Sequence, residues 1–372
     1  MKIQGGIPIP TRTESMAMWI QLSKLRGLSL REKHGLLEKF GSIEQIFLSE
    51  HTDIESCLQR KLTARFVFEW RHSDKEYEWS IEPCNWIVNC RDKLYPKQLL
   101  QLVDPPLVLY IKGDPEVLQT PQIAIVGSRR CSPVGRKVAM QFATELAYAG
   151  LTVTSGLALG VDAAAHEGCL LGDGLTVAVE GNGLDKVYPM ANAGLADKIH
   201  RQGCLLSELP LGSPPRKEHF PMRNRLIAAL SYGVLVVEAA LRSGSLITAR
   251  LAVEMGKEVF VVPGSVLSPQ SKGCHALIQQ GALLVQSTQD VLLELQPQLS
   301  GYLQTLEVAD RLKQIDQDKE EPLLKWIGHD PIYQDEIIRQ SGLTSSRVSS
   351  ILSELELKGL IARCDDGQYF RC

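Results

Sequence analysis

The sequence predicts an α/β protein built on a doubly wound, mostly parallel sheet, and three observations predict it. Short runs rich in Val, Ile and Leu recur between residues 123 and 286. Longer helical patterns separate them, and several runs end in a Gly- or Ser-containing turn that opens the next helix.

The runs are IAIVG (123–127), LTVTSG (151–156), LTVAVEG (175–181), CLLSELP (204–210), GVLVVEA (233–239), EVFVVPG (258–264) and ALLVQ (282–286). Near-continuous apolar strands imply burial on both faces, hence a parallel sheet covered by helices. Such a Rossmann-like domain, expected over 121–295, binds its ligands beyond the carboxyl ends of its strands.

The flanks read differently. Residues 1–72 form a small helical region, of helix-hairpin-helix or SAM-like type, with apolar residues at helical spacing around Gly27 and Gly41. Such pieces either grip a nucleic-acid backbone through loop amides or serve as protein–protein modules. Residues 73–120 are a connecting segment whose strand-like runs, EWSIEPCNWIVN and PPLVLYIKGDP, pack on the next domain. A polar, Gln-rich stretch at 296–315 reads as a linker. At 316–372, EPLLKWIG, YQDEIIRQSG and TSSRVSSILSELELKG make three helices before a hairpin turning at Asp366-Gly367, which is winged-helix patterning.

Composition narrows the function. At 372 residues, 44% hydrophobic and 22% charged, the chain is an ordinary soluble protein of two or three domains. It has no charged-then-apolar leader and no apolar run near ~18 residues, so a cytoplasmic, non-membrane location is expected. Nine scattered cysteines without a CxxC read as reduced thiols, not as a disulfide framework or a metal site. Net charge is −3, so nucleic-acid binding requires local charge. Residues 1–120 carry 16 cations against 16 acids, 121–290 carry 15 against 13, and 301–372 carry 9 against 13. A winged helix that acidic favours protein contact over sequence reading. The positive field is concentrated on one loop.

That loop is SPPRKEHFPMRNRLIAALS, from Ser213 to Ser231, with Arg216, Lys217, Arg223 and Arg225 around Phe220. Cations neutralise phosphates, and an aromatic face stacks on an unpaired base of any identity. Two readings stand: a groove for a nucleic-acid strand, or a solvated basic loop with one anchoring Phe. Gly127-Ser128-Arg129-Arg130 precedes a helix start at Ser132-Pro133. Its N-terminus favours an anion, which Arg129 would clamp. Both GxGxxG and GxxxxGK[ST] are absent, so neither a dinucleotide nor a P-loop nucleotide cofactor is expected. In SGLALGVDAAAH, Gly156 allows close approach; Asp162 and His166 fit a capped helix with a hydrogen-bonded His better than an acid–base pair. Ser243-Gly244-Ser245 opens another helix, whose hydroxyls and amides suit phosphate or sugar oxygens. Glu238 just before it reads as a lone acid or as an orienting group.

Taken together, GSRRCSPVG (127–135), SGLALGVDAAAH (155–166), VYP (187–189), FPMRNRLIAALS (220–231), SGSLITA (243–249) and VPG (262–264) resemble the DprA/Smf family of bacterial DNA-processing proteins in order and spacing. The resemblance covers about 115–290, and the flanking regions are similar to that family's variable domains. It implies a homodimeric single-strand DNA-binding protein that protects incoming DNA in natural transformation and loads the RecA recombinase. It implies no metal, no cofactor and no catalysis. It carries phosphate binding to Arg129 and the clamp to Lys217 and Phe220, and has Arg223, Asn224 and Arg225 line or brace the groove. At SKGCHALIQQGA (271–282) Cys274-His275 stand where the family more often has Thr-Asn, which leaves Lys272 as that turn's phosphate ligand. The rival reading is a Rossmann-like nucleotide phosphoribohydrolase. Its PGGxGTxxE loop would fall at 243–249, where the second glycine and the trailing acid are missing.

Overall fold

The structure is a computed structural model that describes residues 3–4, 7–8, 12–25, 27–61, 74–299, 323, 326–328, 331–357, 360–364 and 367–371. The chain divides into two units, Met1–Gln304 and Thr305–Cys372.

In the first unit the short strands β1 (Ile3–Gln4) and β2 (Ile7–Pro8) precede helices α1 (Arg12–Lys24), α2 (Leu30–Phe40), α3 (Ile43–Leu48) and α4 (His51–Leu58). Local chemistry starts and stops these helices. Ser29 and Glu32 form a reciprocal capping box on α2, and Gly41, at φ 80°, ends it. Ser42 then caps α3. Met18, Trp19, Leu22, Leu36 and Ile46 belong to the same buried cluster as sheet residues Val108, Leu109 and Val126. The helices therefore share the sheet's core. His34 Nε2 meets Pro105 O at 2.9 Å, and Arg91 Nη2 donates to Leu37 O at 2.9 Å, which ties the helices down further.

After α5 (Asp74–Ile81) come β3 (Asn85–Asn89) and β4 (Val108–Gly113). The alternating series follows: β5 (Gln122–Val126), α6 (Pro133–Tyr148), β6 (Thr152–Ser155), α7 (Val161–Leu171), β7 (Thr176–Val179), α8 (Ala193–Gln202), β8 (Cys204–Ser207), α9 (His219–Leu230), β9 (Gly233–Val236), α10 (Ser245–Glu254), β10 (Glu258–Val261), α11 (Lys272–Gln279), β11 (Leu283–Leu284) and α12 (Thr288–Leu299). The strands form one sheet in the order β11-β10-β9-β5-β6-β7-β8-β4-β3. It is parallel from β11 to β8, and every apolar run read from the sequence supplies one of those strands. The stretch read as a connector does more than abut the sheet: β4 pairs antiparallel with β8, and β3 with β4.

Two glycines make that junction possible. A Cβ on Gly113 (φ +120°) would lie 2.3 Å from Gly203 O, and one on Gly203 would lie 2.0 Å from Thr176 O. The missing side chain of Gly113 lets β4 approach β8, and that of Gly203 lets the chain entering β8 approach β7. Among the described residues, no helix is long and apolar enough to cross a membrane.

In the second unit α13 (Gln334–Ser341) turns at Gly342 (φ 68°) into α14 (Ser345–Leu357), and β12 (Ile361–Arg363) pairs antiparallel with β13 (Tyr369–Arg371). A bridge from Ile332 to Tyr369 adds to the ladder, giving a winged helix around Ile337, Val348, Leu352, Leu355 and Ile361. The expected linker from 300 onward, half of the first expected helix (321–328) and Asp366 lie outside the described residues.

The glycine junction is testable by urea unfolding. Gly113→Ala should destabilise by about 1–3 kcal/mol through the clash alone. Gly150→Ala, at φ +85° with open space around it, should cost only the backbone strain of about 1 kcal/mol. Equal losses would remove close packing as the reason for Gly113.

Candidate nucleic-acid interface

Strand order dictates where a ligand can enter. From β5 the chain crosses to β6 on one side, while β9, the other neighbour of β5, crosses away to β10. The carboxyl ends of β5 and β9 therefore border a topological switch point, where connecting loops diverge and leave a crevice. A cavity of about 510 Å³ opens there. Gly127, Ser128, Arg129 and Arg130 line it from the end of β5, Ser243, Gly244 and Ser245 from the start of α10, and Phe220, Arg223 and Asn224 from α9. Gly127 is obligatory, since a Cβ there would lie 2.9 Å from Glu238 O and 2.7 Å from Val161.

At the cavity mouth the Arg129 guanidinium lies over the Phe220 ring, 5.2 Å from its centroid. The ring of Tyr188 stands 5.8 Å from Phe220 at an interplanar angle of 37°. Arg129, Arg130 and Arg242 are exposed, so their charge projects into the opening. Lys217 is exposed on the segment just before α9 but does not line the cavity.

The N-terminus of α6 does not hold the anion expected there. Glu238 fills it: Ser132 donates its N–H to Oε2 at 2.9 Å and its hydroxyl to Oε1 at 2.5 Å, and Gly135 leaves room for the carboxylate. A carboxylate already meets the positive end of that helix dipole. The N-terminus of α10 is different. Its first residues are Gly244 and Ser245, with the Ser243 and Ser245 hydroxyls 2.7 Å apart, and they face the cavity.

The basic stretch read as a loop is helical from His219, and helical geometry separates its residues. Arg223 is buried, donates from Nη1 to Val179 O and covers Gly156, where a Cβ would fall 2.2 Å from Nη1. Two positions on, about 200° around the helix, Arg225 points elsewhere. It donates to Asp104 O at 3.0 Å, pairs with Glu208, and lines a separate cavity with Leu102, Val103 and Lys257. Arg225 is thus an internal ion-pair residue remote from the crevice. Gly156 sits beneath Arg223 and not at the cavity wall, and Lys272, exposed at the first position of α11, is also off the lining. Sequence reasoning missed Arg242, which lines the cavity, and Tyr188; their signals were a cation before the SGS turn and the Tyr of VYP.

Buried charge surrounds Arg223. Burial raises Asp162 above its usual carboxylate range, against the opposing pull of Arg223; Asp162 accepts from Gly156 N at 3.2 Å. Burial pushes Glu180 up to about 7, and the same cause pushes Glu208 up to about 7 against Arg225. Arg223 is itself lowered by burial and sustained by Asp162 and Glu180. Nε of Arg223 and Oε1 of Glu180 are buried without a hydrogen-bond partner. His166 is not paired with Asp162: its Nδ1 meets Thr176 Oγ1 at 2.7 Å, and burial lowers it to about 3. A neutral imidazole bound to a threonine and a carboxylate bound to an amide form no acid–base dyad. Among the described residues, no group of three or more His, Cys, Asp and Glu could hold a metal ion.

These shifts set the pH dependence of stability. Glu180 holds a proton in the folded chain that the unfolded chain releases above about 4.5, so its contribution is complete below that pH and is lost as pH rises through about 7. His166 acts in the other direction, present above 6.5 and lost as pH falls towards about 3. Glu180→Gln should therefore raise the melting temperature at pH 8 more than at pH 5. An equal change at both values would show that Glu180 titrates normally.

Comparison with known proteins gives one answer along the chain. Residues 86–296 match the family model described as DNA recombination-mediator protein A, and 307–367 match the DprA winged helix domain. Protein Smf of Escherichia coli (strain K12) is 42% identical over 326 residues, 85% of this chain and 87% of that protein. DNA processing protein DprA of Streptococcus pneumoniae is 42% identical over 272 residues, 73% and 95% respectively. An X-ray structure of DprA from S. pneumoniae is similar with a TM-score of 0.66 at 40% identity, over 75% of this chain and 97% of that one. DNA processing protein A from Helicobacter pylori, whose structure describes a single-stranded DNA binding mode, is similar with a TM-score of 0.52 at 36% identity, over 57% and 96%. Sheet order, winged helix and these matches agree: the chain belongs to the DNA processing protein A (DprA/Smf) family.

Proposed function

We propose that this protein binds single-stranded DNA in the crevice beyond β5 and β9, and that it acts in recombination of incoming DNA. One observation carries the reading: Arg129 lies over Phe220 at the mouth of a cationic cavity. A phosphate needs the cation and an unstacked base needs the aromatic, and only a single strand presents both together. The single-stranded DNA binding described for the H. pylori relative supports it. Gly127, Ser128 and the Ser243-Gly244-Ser245 turn would receive phosphate oxygens, and Lys217 would clamp the adjoining backbone. Asn224 would contact the strand, while Arg223 and Gly156 would brace α9.

The protein would act as a homodimer and hand the strand to the RecA recombinase, with no cofactor and no catalytic step. Exposed Leu283 and Leu284 on edge strand β11 support self-association, and linking two sites raises affinity. A phosphoribohydrolase would need an acid–base pair, and Asp162 and His166 are engaged elsewhere.

Titration of oligonucleotides across salt concentration tests this. Phe220→Ala should weaken single-strand binding by about 1–3 kcal/mol with little change in salt slope. Arg129→Ala and Lys217→Ala should lower affinity and reduce the slope by about one each. Unchanged affinity in all three variants, or preference for duplex, would refute the interface. In the same assay RecA filaments should form faster on strands carrying the protein, and release of free base from nucleoside monophosphates would revive the enzyme reading.

A further inference from the structure

We infer that Tyr188 forms a second stacking platform beside Phe220 and takes the base of the neighbouring nucleotide in a bound single strand. The inference rests on the reading above. It follows from how enclosed Phe220 already is. Arg129 lies over its ring, Tyr188 stands beside it, and the backbone of Gly181 presses on it so closely that a Cβ there would lie 3.0 Å from Cδ1. Phe220 is half-buried, whereas Tyr188 is 42% exposed. Tyr188 therefore adds a more open aromatic surface beside the one that Phe220 presents at the mouth.

The loop that carries Tyr188 is held in place by its own hydrogen bonds. Tyr188 N donates to Glu180 Oε2 at 3.4 Å, and Asn182 Nδ2 donates to Lys186 O at 2.6 Å. Further along, Asn192 Nδ2 donates to Leu157 O at 2.8 Å, joining this loop to the one that contains Leu159. Met190, two residues on, and Leu159 are exposed apolar side chains as well. A platform fixed beforehand loses little entropy when a base settles on it.

Charge and spacing point to a strand. Lys186 is exposed two residues before Tyr188, and Gly183 N donates to Ser213 O at 3.0 Å, which holds the segment bearing Lys217 beside the loop. Phosphates on either side of the stacked base would meet those cations. The rings are 5.8 Å apart, wider than the rise of about 3.4 Å per nucleotide in a duplex strand. Bases using both rings must be splayed, which a single strand allows and a duplex does not.

The test is fluorescence anisotropy with deoxythymidine oligonucleotides of increasing length, using the full chain and its Tyr188→Ala and Tyr188→Phe variants. On the shortest strand bound by wild type, which fills only the Arg129–Phe220 mouth, Tyr188→Ala should match wild type. On longer strands it should bind about tenfold more weakly, with the salt slope retained, while Tyr188→Phe keeps wild-type affinity. A loss equal at every length would reduce Tyr188 to a support for Phe220, and no loss at any length would remove it from the interface; either overturns the proposal. Failure of wild type to bind any strand would instead bring down the proposed function, and this inference with it.

Discussion

Burial of the Arg223 guanidinium between the ends of β6 and β7 is the interaction on which the proposed interface depends. Arg223 is 5% exposed, donates to Val179 O and rests on Gly156. Moving a guanidinium out of water costs several kcal/mol unless hydrogen bonds and opposite charges offset the loss. Here Asp162 and, above about pH 7, Glu180 supply the charges, and both carboxyls are themselves pushed up by burial. The arrangement fastens α9 to the sheet one turn after Phe220. It thereby sets the ring against Gly181 and beneath Arg129. The buried cation of the cavity lining is thus an anchor, and the exposed arginines around it are the ones open to solvent.

A second constraint is the allocation of helix N-termini. Both α6 and α10 begin at the crevice, and each would attract an anion. Glu238 occupies the first through Ser132, so a phosphate bound as proposed would meet the second. A chain of net charge −3 can in this way keep a local positive field: the acidic groups near the crevice are committed to amides, to a helix end or to a buried arginine, leaving Arg129, Arg130 and Arg242 to face outward.

Much of this was legible in the sequence because it rests on local rules. The parallel strands β5–β11 were readable from unbroken apolar runs, the α6 start from Ser132-Pro133, and the crevice from glycine-bearing turns after β5 and β9. What the sequence concealed were choices made by tertiary packing. The stretch around Trp86 alternates too weakly to announce that β3 and β4 would extend the sheet, and the Gly113–Gly203 contact that admits them joins residues far apart in the chain. Arg223 and Arg225 look equivalent in FPMRNR; only once the segment is helical do they diverge, one to the crevice floor and the other to Glu208. The capture of α6 by Glu238 was equally hidden, because that acid sits over a hundred residues from Ser132.

The most direct test of the account is a photocrosslinking map of a short deoxythymidine strand on the full chain, with crosslinked peptides identified by mass spectrometry. The account predicts crosslinks at Phe220 and Tyr188 and in the 127–130 loop, lost when Arg129 is replaced by alanine. Crosslinks confined to the helices at 12–58 or to the winged helix would contradict it.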